Sequence, residues 1–528
     1  MPKVLITDPI DQSGIDILSQ VAQVDQKVGI SDKELINVIK EYDALMIRSG
    51  TQVTEEIINS SQRLKIIGRA GVGVDNVDVK TATQKGVLVV NSPGGNTIAA
   101  AEHAIAMMLA LSRNIPIAHA STMEGKWERK KFVGNELYKK RLGVVGLGKI
   151  GTHVAKVANA LGMEVIGYDP FVSSDRAQQM QVKLSELNLL FEDSDYITLH
   201  LPRTTETENL VDIKMLNSMK RTAKLINCAR GGIIDEEALA DALNSSLIGG
   251  AAIDVFSEEP LSNNSPLLKV KKNLILTPHL GASTKEAQEN VAIDVAEQIR
   301  DVLLGLSART AVNIPGLSPD IMDSLKPHLQ LAETLGLLIS QLSGGQIDKL
   351  ELKLQGEFAQ HPSKPLVIAS LKGLLSKALG DRINYVNASL EAESRGIKVI
   401  ENKDEARPEF ASGLLQLTTI GDKGENSVAG SIFADGELRI ISIDQYPVNV
   451  SPSRFMLLTR HRDMPGIIGK LGSLLGDHNV NIASMQVGRK IVRGEAVMVL
   501  SVDDPIPTSL LESILEVDGI TSANPVTL

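Results

Sequence analysis

The sequence predicts two doubly wound parallel-sheet α/β units, followed by an α+β domain and a ferredoxin-like C-terminal domain. Short apolar runs alternate with helical patterns from residue 4 to residue 304, which is typical of a parallel sheet covered by helices. A glycine-rich turn follows residue 145, near the start of the second unit. The C-terminal segment of the chain repeats the order strand–helix–strand twice. At about 150 residues per domain, a chain of 528 residues is long enough for three or four cores.

The strands of both units are predicted from continuous apolar runs, which are typical of strands buried on both faces of a sheet. In the first unit these runs lie at residues 4–7, 44–47, 64–67 and 87–90. In the second unit they lie at 142–145, 164–168, 196–201, 224–227, 251–255 and 273–277. Two long helices are expected at 98–112 and 283–304. Ligands of such sheets bind beyond the carboxyl ends of the strands, so we expect a cleft between the two units.

Pro315, Gly316 and Pro319 predict a domain boundary. Residues 318–450 then mix helical stretches with long β-like stretches, which predicts a separate α+β domain without a recognisable chemical motif. The final domain, 454–528, has the ferredoxin-like element order. Its strands and helices are expected at 455–460, 466–477, 480–487, 496–502, 508–515 and 520–526.

Composition argues against several classes of protein. Acidic residues outnumber basic ones, 64 to 54, and the net charge of −10 argues against nonspecific binding to nucleic acid or anionic membranes. Cys228 is the only cysteine, so no internal disulfide is possible, and no Cys/His cluster has the spacing of metal ligands. The N-terminal residues contain no secretory signal, and the apolar stretch 98–111 is too short to span a bilayer. We therefore expect a cytoplasmic protein without a metal and without nucleic-acid or membrane partners.

The glycine-rich turn matches the dinucleotide-binding pattern G-x-G-x-x-G at Gly146, Gly148 and Gly151. It directly follows a predicted strand and opens a predicted helix, and the next strand ends at Asp169. In that context the glycines permit a tight turn and close approach to a pyrophosphate, which the helix N-terminus favours. The Asp169 carboxylate would accept hydrogen bonds from the ribose and repel a 2′-phosphate. The pattern thus favours NAD over NADP.

Three further loops at strand ends carry Arg230, Glu259 and His279. An imidazole with a pKa near neutrality can take the proton of a hydroxyl group that loses a hydride. A carboxylate would fix the tautomer of that imidazole, and a guanidinium would bind a substrate carboxylate bidentately. Each residue alone is more often structural, and Glu258 is an evident rival for Glu259. Together after a dinucleotide motif they indicate a dehydrogenase.

The segment 143–281 resembles the D-isomer-specific 2-hydroxyacid dehydrogenases. It carries the glycine motif, Asn-Cys-Ala-Arg-Gly-Gly at 227–232, Asp-Val-Phe-x-x-Glu-Pro at 254–260 and Pro-His-Leu-Gly-Ala at 278–282. The resemblance implies that Arg230, Glu259 and His279 are the catalytic residues. It implies a substrate-binding domain formed by 1–97 and 284–314 around an NAD-binding Rossmann domain at 98–283. It adds to the NAD site Lys149, Ile150, Asp169, Cys228, Ala229, Arg230, Asp254, His279, Leu280, Gly281 and Ala282.

Strand-end loops of the first unit offer cations and N–H donors for an anionic substrate. Arg48 and Arg69 follow two predicted strands, and Val72, Gly73 and Asn96 lie in glycine-rich loops that reach the same edge. Both arginines could instead be solvated surface charges. A basic cluster at 126–131 is either a solvated helix end or a contribution to the active site of a neighbouring subunit.

The C-terminal domain resembles an ACT domain, an amino-acid-sensing module. The resemblance rests on Arg-His-Arg-Asp-Met-Pro-Gly at 460–466 and Asn-Val-Asn-Ile at 479–482. It implies that Asp463, Asn481 and, less specifically, His461 bind an effector such as L-serine. The whole chain resembles long-form members of the dehydrogenase family that have an intervening domain, here 318–450, and an ACT domain, 454–528. That implies NAD-dependent oxidation of 3-phospho-D-glycerate to 3-phosphooxypyruvate, the first step of L-serine synthesis, by a homodimer or homotetramer.

Other interpretations stay open at this point. A glyoxylate or hydroxypyruvate reductase would use the same triad, but it would not need an ACT domain. A dinucleotide-sensing binding protein would bind NAD without turnover, and the C-terminal half could be an unrelated interaction module. A nucleophilic role for Cys228 is not favoured, because hydride transfer needs no nucleophile.

Overall fold

The computed structural model describes residues 1–306, 308–314, 319–408, 411–433 and 435–528. The boundary predicted around residues 315–318 lies outside the described residues. No helix among those described is both long enough and apolar enough to cross a membrane.

The first unit is a parallel five-stranded sheet in the order β2-β1-β3-β4-β5. Its central strands are almost entirely buried, which explains their continuous apolar runs. The strands are β1 (Lys3–Ile6), β2 (Gln23–Gln26), β3 (Ala44–Ile47), β4 (Ile66–Arg69) and β5 (Leu88–Asn91). The helices are α1 (Gln12–Ser19), α2 (Asp32–Val38), α3 (Glu55–Ser60) and α4 (Val79–Gln84).

The second unit is a parallel seven-stranded sheet in the order β12-β11-β10-β9-β6-β7-β8. The order reverses between β6 and β9, so the glycine motif after β6 lies where a doubly wound sheet binds its ligand. The strands are β6 (Arg141–Val145), β7 (Glu164–Tyr168), β8 (Lys183–Leu184), β9 (Tyr196–Leu199), β10 (Lys224–Asn227), β11 (Gly250–Ile253) and β12 (Leu274–Leu276). The helices are α5 (Thr97–Ser112), α6 (Ile115–Met123), α7 (Lys149–Ala160), α8 (Ser174–Gln179), α9 (Leu187–Asp193), α10 (Ile213–Ser218) and α11 (Glu236–Asn244).

The long helix α12 (Lys285–Leu303) returns from the second unit to the first. Its buried residues Val291, Val295 and Ile299 share a core with Val4 and Ile6 of β1. The chain then seals the edge of the first sheet: the Asn313 side chain accepts the Val89 N–H and donates to the Val87 carbonyl. Helix α12 and the segment after it therefore pack on the first sheet.

The predicted α+β domain has a six-stranded mixed sheet in the order β14-β13-β15-β16-β17-β18. Its helices are α13 (Pro319–Leu342), α14 (Glu357–Gln360), α15 (Ser363–Leu379) and α16 (Ala388–Ser394). Its strands are β13 (Ile347–Gly356), β14 (Lys398–Asp404), β15 (Gly413–Gly421), β16 (Gly424–Ile432), β17 (Leu438–Ile443) and β18 (Tyr446–Val450).

The C-terminal domain has the predicted ferredoxin-like fold, with an antiparallel sheet in the order β20-β21-β19-β22. Leu457 and Leu500 on one sheet face pack against the two helices. On the opposite face, Met456, Leu458 and Val499 join the core of the α+β domain, so the two domains share apolar packing. The elements are β19 (Phe455–Arg462), α17 (Ile467–Asp477), β20 (Ile482–Arg489), β21 (Glu495–Val502), α18 (Thr508–Leu515) and β22 (Ile520–Thr527).

Candidate active site

The glycine turn is shaped by close backbone packing at two positions and by open space at the third. Gly146 has φ +94°, and a Cβ there would meet the His200 carbonyl oxygen. A Cβ on Gly151 would overlap the Gly146 carbonyl oxygen. Gly148, just before α7, has an ordinary φ of −66°, and no atom lies within 4 Å of the place its Cβ would take. Protein packing therefore does not require glycine at 148, whereas a pyrophosphate against the helix N-terminus does. The turn thus fits NAD.

Asp169 follows β7, as predicted, and its carboxylate is held by the backbone. One oxygen accepts the Leu147 N–H at 2.9 Å, and the other accepts the Phe171 N–H at 2.9 Å. A carboxylate can accept about four hydrogen bonds, so it keeps acceptor capacity for the two ribose hydroxyls. The first of these bonds also ties Asp169 to the glycine turn, so the predicted ribose and pyrophosphate contacts lie side by side.

Asp254 is fully buried and organises the loop that carries His279. Its oxygens accept hydrogen bonds from the Thr277 hydroxyl (2.6 Å) and from the N–H groups of Leu280 (2.8 Å) and Gly281 (2.9 Å). His103 Nε2 lies 3.2 Å from the same carboxylate. Burial alone would raise the pKa of Asp254, but these partners outweigh it and hold the pKa below its ordinary value. Asp254 is therefore a charged support for the loop.

His103 and Cys228 lie near Asp254. His103 was missed by sequence reasoning because it lies beside Glu102 in a mostly apolar helix, α5, and nothing in its local pattern points to Asp254. Burial, and then the Asp254 charge, raise the pKa of the Cys228 thiol. A thiol in such surroundings stays protonated, which agrees with the rejection of a nucleophilic role.

His279 and Glu259 form the predicted pair. His279 Nδ1 lies 2.6 Å from a Glu259 oxygen, and the other oxygen accepts the Phe256 N–H at 3.0 Å. Burial acts to raise the pKa of Glu259, but the bonds from His279 and Phe256 N–H prevail and lower it. Glu258, the rival acid, makes no hydrogen bond or ion pair with the residues described. A carboxylate at Nδ1 keeps the ring proton there and leaves Nε2 available as a base.

His279 has a backbone φ of +54°, in the left-handed region that non-glycine residues seldom adopt. Its N–H donates to the Asp254 carbonyl at 2.9 Å, which holds the turn. Backbone strain of this kind is concentrated at functional sites, where neighbouring structure compensates for it. The conformation is thus consistent with a positioned catalytic side chain.

Arg230 reaches the first unit across the cleft. The Asn227 side chain fixes its loop by donating to the Arg230 carbonyl at 3.0 Å and accepting the Ala229 N–H at 3.0 Å. The guanidinium Nε donates to Asp75 at 3.2 Å, and Nη1 donates to the Ala229 carbonyl at 2.6 Å. Asp75 was not singled out from the sequence, because this contact joins residues far apart in the chain. A Cβ on Gly231 would overlap the Phe256 carbonyl, so the Arg230 loop lies against the Glu259 loop.

Arg69 lies beside Arg230. Its Nε is buried without a hydrogen-bond partner in the described structure. Burial and then the charge of Arg230 lower the pKa of Arg69 to about 10, with a smaller contribution from Arg48. The guanidinium stays charged at neutral pH, so three cations share this part of the cleft. Such a cluster is poised to bind an anion.

The loops predicted to contact substrate surround this cluster. A Cβ on Gly73 would meet the Arg230 guanidinium, and the Val72 carbonyl accepts the Asn91 side chain at 2.5 Å. Asn96 has a buried side-chain oxygen without a partner among the residues described. Lys149 Nζ lies 3.4 Å from where a Cβ on Gly94 would be, so the glycine-motif helix approaches the same loops.

The three predicted effector residues differ in their exposure and in their hydrogen-bond partners. Asp463 already accepts hydrogen bonds from the Arg489 side chain (2.8 Å) and the Arg493 N–H (3.1 Å). Asn481 donates to Asp503 at 2.7 Å. His461 is only 2% exposed, so the chain does not present its ring to a ligand at the domain surface. Of the three, Asp463 and Asn481 are accessible, and an effector would compete with their present partners.

This fold and this site define an NAD-dependent dehydrogenase of D-2-hydroxy acids. Residues 105–281 match the NAD binding domain of the D-isomer specific 2-hydroxyacid dehydrogenases. Residues 324–444 match the D-3-phosphoglycerate dehydrogenase intervening domain, and residues 455–519 match the ACT domain. The chain belongs to the D-3-phosphoglycerate dehydrogenase family.

Relatives along the full length support that assignment. The chain is 61% identical to a D-3-phosphoglycerate dehydrogenase of Synechocystis, over 100% of this chain and 95% of that one. It is 44% identical to the Methanocaldococcus jannaschii enzyme of the same name, over 98% of each chain. Among solved structures, the Aquifex aeolicus D-lactate dehydrogenase complexed with NAD and lactic acid matches with a TM-score of 0.52 at 26% identity, covering 57% of this chain and 96% of that one.

Proposed function

We propose that this protein oxidises 3-phospho-D-glycerate to 3-phosphooxypyruvate with NAD, the first step of L-serine biosynthesis. The observation that carries the proposal is the His279–Glu259 pair, in which Nδ1 and a carboxylate oxygen are 2.6 Å apart. The Glu259 loop lies against the Arg230 loop, and these loops, the His279 loop and the glycine turn all follow strands of one sheet. Full-length similarity to D-3-phosphoglycerate dehydrogenases supports the choice of substrate.

When bound, NAD accepts the hydride that leaves C2 of the substrate. His279 Nε2 takes the proton of the C2 hydroxyl, while Nδ1 keeps its own proton against Glu259. The Glu259 charge stabilises the imidazolium that forms. Arg230 binds the C1 carboxylate and polarises the C2 oxygen. To do so, its guanidinium gives up its contact with the exposed Asp75 and binds the substrate instead.

Arg48, Arg69 and Arg230 suit a substrate with an anion at each end. Their mutual repulsion, together with the unpartnered buried Arg69 Nε, is relieved when a phosphate and a carboxylate enter. We assign Val72, Gly73 and Asn96 to the substrate side. The NAD site comprises Gly146, Gly148, Lys149, Ile150, Gly151, Asp169, Cys228, Ala229, Arg230, Asp254, His279, Leu280, Gly281 and Ala282.

We further propose that the chain divides as 1–97 with 284–314, 98–283, 318–450 and 454–528, and that L-serine acts through Asp463 and Asn481. Helix α6 supports a homodimer or homotetramer. None of its residues is buried, and it presents Ile115, Ile117 and Met123 to solvent. Trp127, which is 81% exposed, is a further apolar side chain close in sequence, and exposed apolar side chains of this kind suit contact with a second copy. A cytoplasmic location stays a prediction.

The test is NADH release by the full chain on 3-phospho-D-glycerate and on D-glycerate, with and without L-serine. We expect kcat/KM at least about tenfold higher for the phosphorylated acid, because one charged hydrogen bond contributes about 1.5–3 kcal/mol. No turnover in either direction overturns the proposal. Equal or better turnover of unphosphorylated hydroxypyruvate favours the reductase interpretation instead.

A further inference from the structure

A cluster in the α+β domain has no part in the reaction described above. It contains His328 on α13, Glu357 at the start of α14 and His361 just after that helix. Glu357 and His361 are four residues apart, so one helical turn brings them together. One potential ligand atom from each of the three side chains lies within 4.8 Å of the other two.

The imidazoles of this cluster have unsatisfied nitrogens. His328 is 8% exposed, and its Nδ1 and the His361 Nε2 are buried without a hydrogen-bond partner in the described structure. His328 Nε2 lies 3.9 Å from Glu357, beyond hydrogen-bond distance. A buried polar atom left unpaired costs about 1–3 kcal/mol. Two such atoms on adjoining rings indicate that another species supplies the missing interaction.

We propose that His328, Glu357 and His361 bind a divalent first-row transition metal, with Zn²⁺ the best match. Two neutral imidazoles and a carboxylate form a set of donors typical of zinc, and three protein ligands leave a fourth position for water.

The geometry allows the site to close. Tetrahedral coordination at about 2.0–2.1 Å places donors about 3.3 Å apart, so separations of up to 4.8 Å must shorten. Glu357 is half exposed and His361 lies beyond the end of α14, so both can move toward the buried His328. Packing of aromatic rings is the simpler alternative. The His328 and His361 rings meet edge to face at 4.7 Å, and Phe358 adjoins them. Ring packing explains these contacts but leaves both nitrogens unpaired.

This site differs from the other His-containing cluster, His103, Cys228 and Asp254. There the Asp254 oxygens are already engaged by His103, Thr277 and the His279 loop. At the proposed site, the described residues include no such competing partners. The sequence analysis did not predict this site, because His328 lies on α13 and His361 follows α14, with β13 between them and without the close spacing of a zinc-binding motif.

The test is metal binding by the full chain after chelator treatment. Co²⁺ is titrated in with visible absorption as the readout, and Zn²⁺ is measured by elemental analysis and by the shift in melting temperature. We expect one metal per chain, the absorption of tetrahedral Co²⁺ without a thiolate charge-transfer band, and a higher melting temperature with Zn²⁺. His361→Ala and Glu357→Gln should weaken binding at least about tenfold, since loss of even an outer-shell partner has an effect of that size.

His478→Ala is the matched control, because that exposed ring bonds only to the Leu474 carbonyl in another domain. It should bind metal like the parent. Circular dichroism and NADH turnover check that every variant is folded. His361→Ala is the variant least prone to unfold, because His361 lies at the surface of the cluster. No binding by the parent, unchanged binding by His361→Ala, or a thiolate band that points to Cys228 would each overturn the proposal.

Discussion

Glu259→Gln tests the acid–base pair most directly. Both partners of the Glu259 carboxylate, His279 Nδ1–H and the Phe256 N–H, are donors. A glutamine has one oxygen, so it can accept only one of them. If that oxygen faces Phe256, its amide donates to His279, moves the ring proton to Nε2 and removes the base.

The size of the effect follows from the 2.6 Å separation. Coulomb's law gives about 1.6 kcal/mol in bulk water and about 6 kcal/mol at an effective dielectric of about 20. The side chains are 46% and 36% exposed, so solvent screening favours the lower half of that range. We expect a loss of about 2–4 kcal/mol, or about 30- to 1000-fold in kcat/KM.

The assay is steady-state oxidation of 3-phospho-D-glycerate, followed by NADH absorbance across pH. The loss should fall on kcat, with KM for NAD nearly unchanged. Glu258→Gln removes the same charge one residue away and should stay within about twofold of the parent, since surface substitutions usually have effects below about 0.5 kcal/mol. If Glu259→Gln retained activity within threefold of the parent, or if both variants lost it equally, the assigned pairing would be wrong.

Three further predictions concern neighbouring groups. Arg230→Lys keeps the charge but loses the bidentate fork, so kcat/KM for the hydroxy acid should fall about 10- to 150-fold, equivalent to about 1.5–3 kcal/mol; an unchanged value would argue against carboxylate binding there. Gly148→Val fills open space, so the melting temperature should hold while KM for NAD rises at least about tenfold; equal NAD affinity would show that the space is not the pyrophosphate site. The pKa of Asp254 is lowered in the folded state, so its stabilisation is present above its ordinary value of 3.8 and is lost as pH falls below it. Asp254→Asn should therefore show a flatter fall of melting temperature below about pH 4, and identical slopes for both proteins would contradict this.

The sheets of the first two units could be predicted because strands buried on both faces appear in the sequence as unbroken apolar runs. Three of the strands that were not predicted, β2, β8 and β14, lie at sheet edges. β2, with the sequence Gln-Val-Asp-Gln, and the two-residue β8 carry too few buried side chains to show a pattern. β14, the edge strand of the α+β domain, consists mostly of exposed residues. Backbone pairing with a neighbouring strand, which no local pattern reveals, defines all three.

The residues of the candidate site likewise divide into those that the sequence predicts and those that only the folded structure reveals. Arg230, Glu259 and His279 could be found because each follows a strand whose carboxyl end must face the cleft. Asp75 and His103 could not, because each acts through a contact with a residue more than a hundred positions away. His461 was predicted to contact an effector, but its burial could not be predicted, because that burial depends on the packing of β19.

The apolar packing shared by the α+β domain and the C-terminal domain constrains where this chain can be cut into fragments. Truncation after Val450 would uncover part of the apolar core of the larger domain, and an isolated 454–528 fragment would expose Met456, Leu458 and Val499 to water. Either piece would tend to aggregate or to pair with itself. If the proposed effector reshaped the small sheet, the strain would pass to the larger domain through this shared core, without a flexible linker.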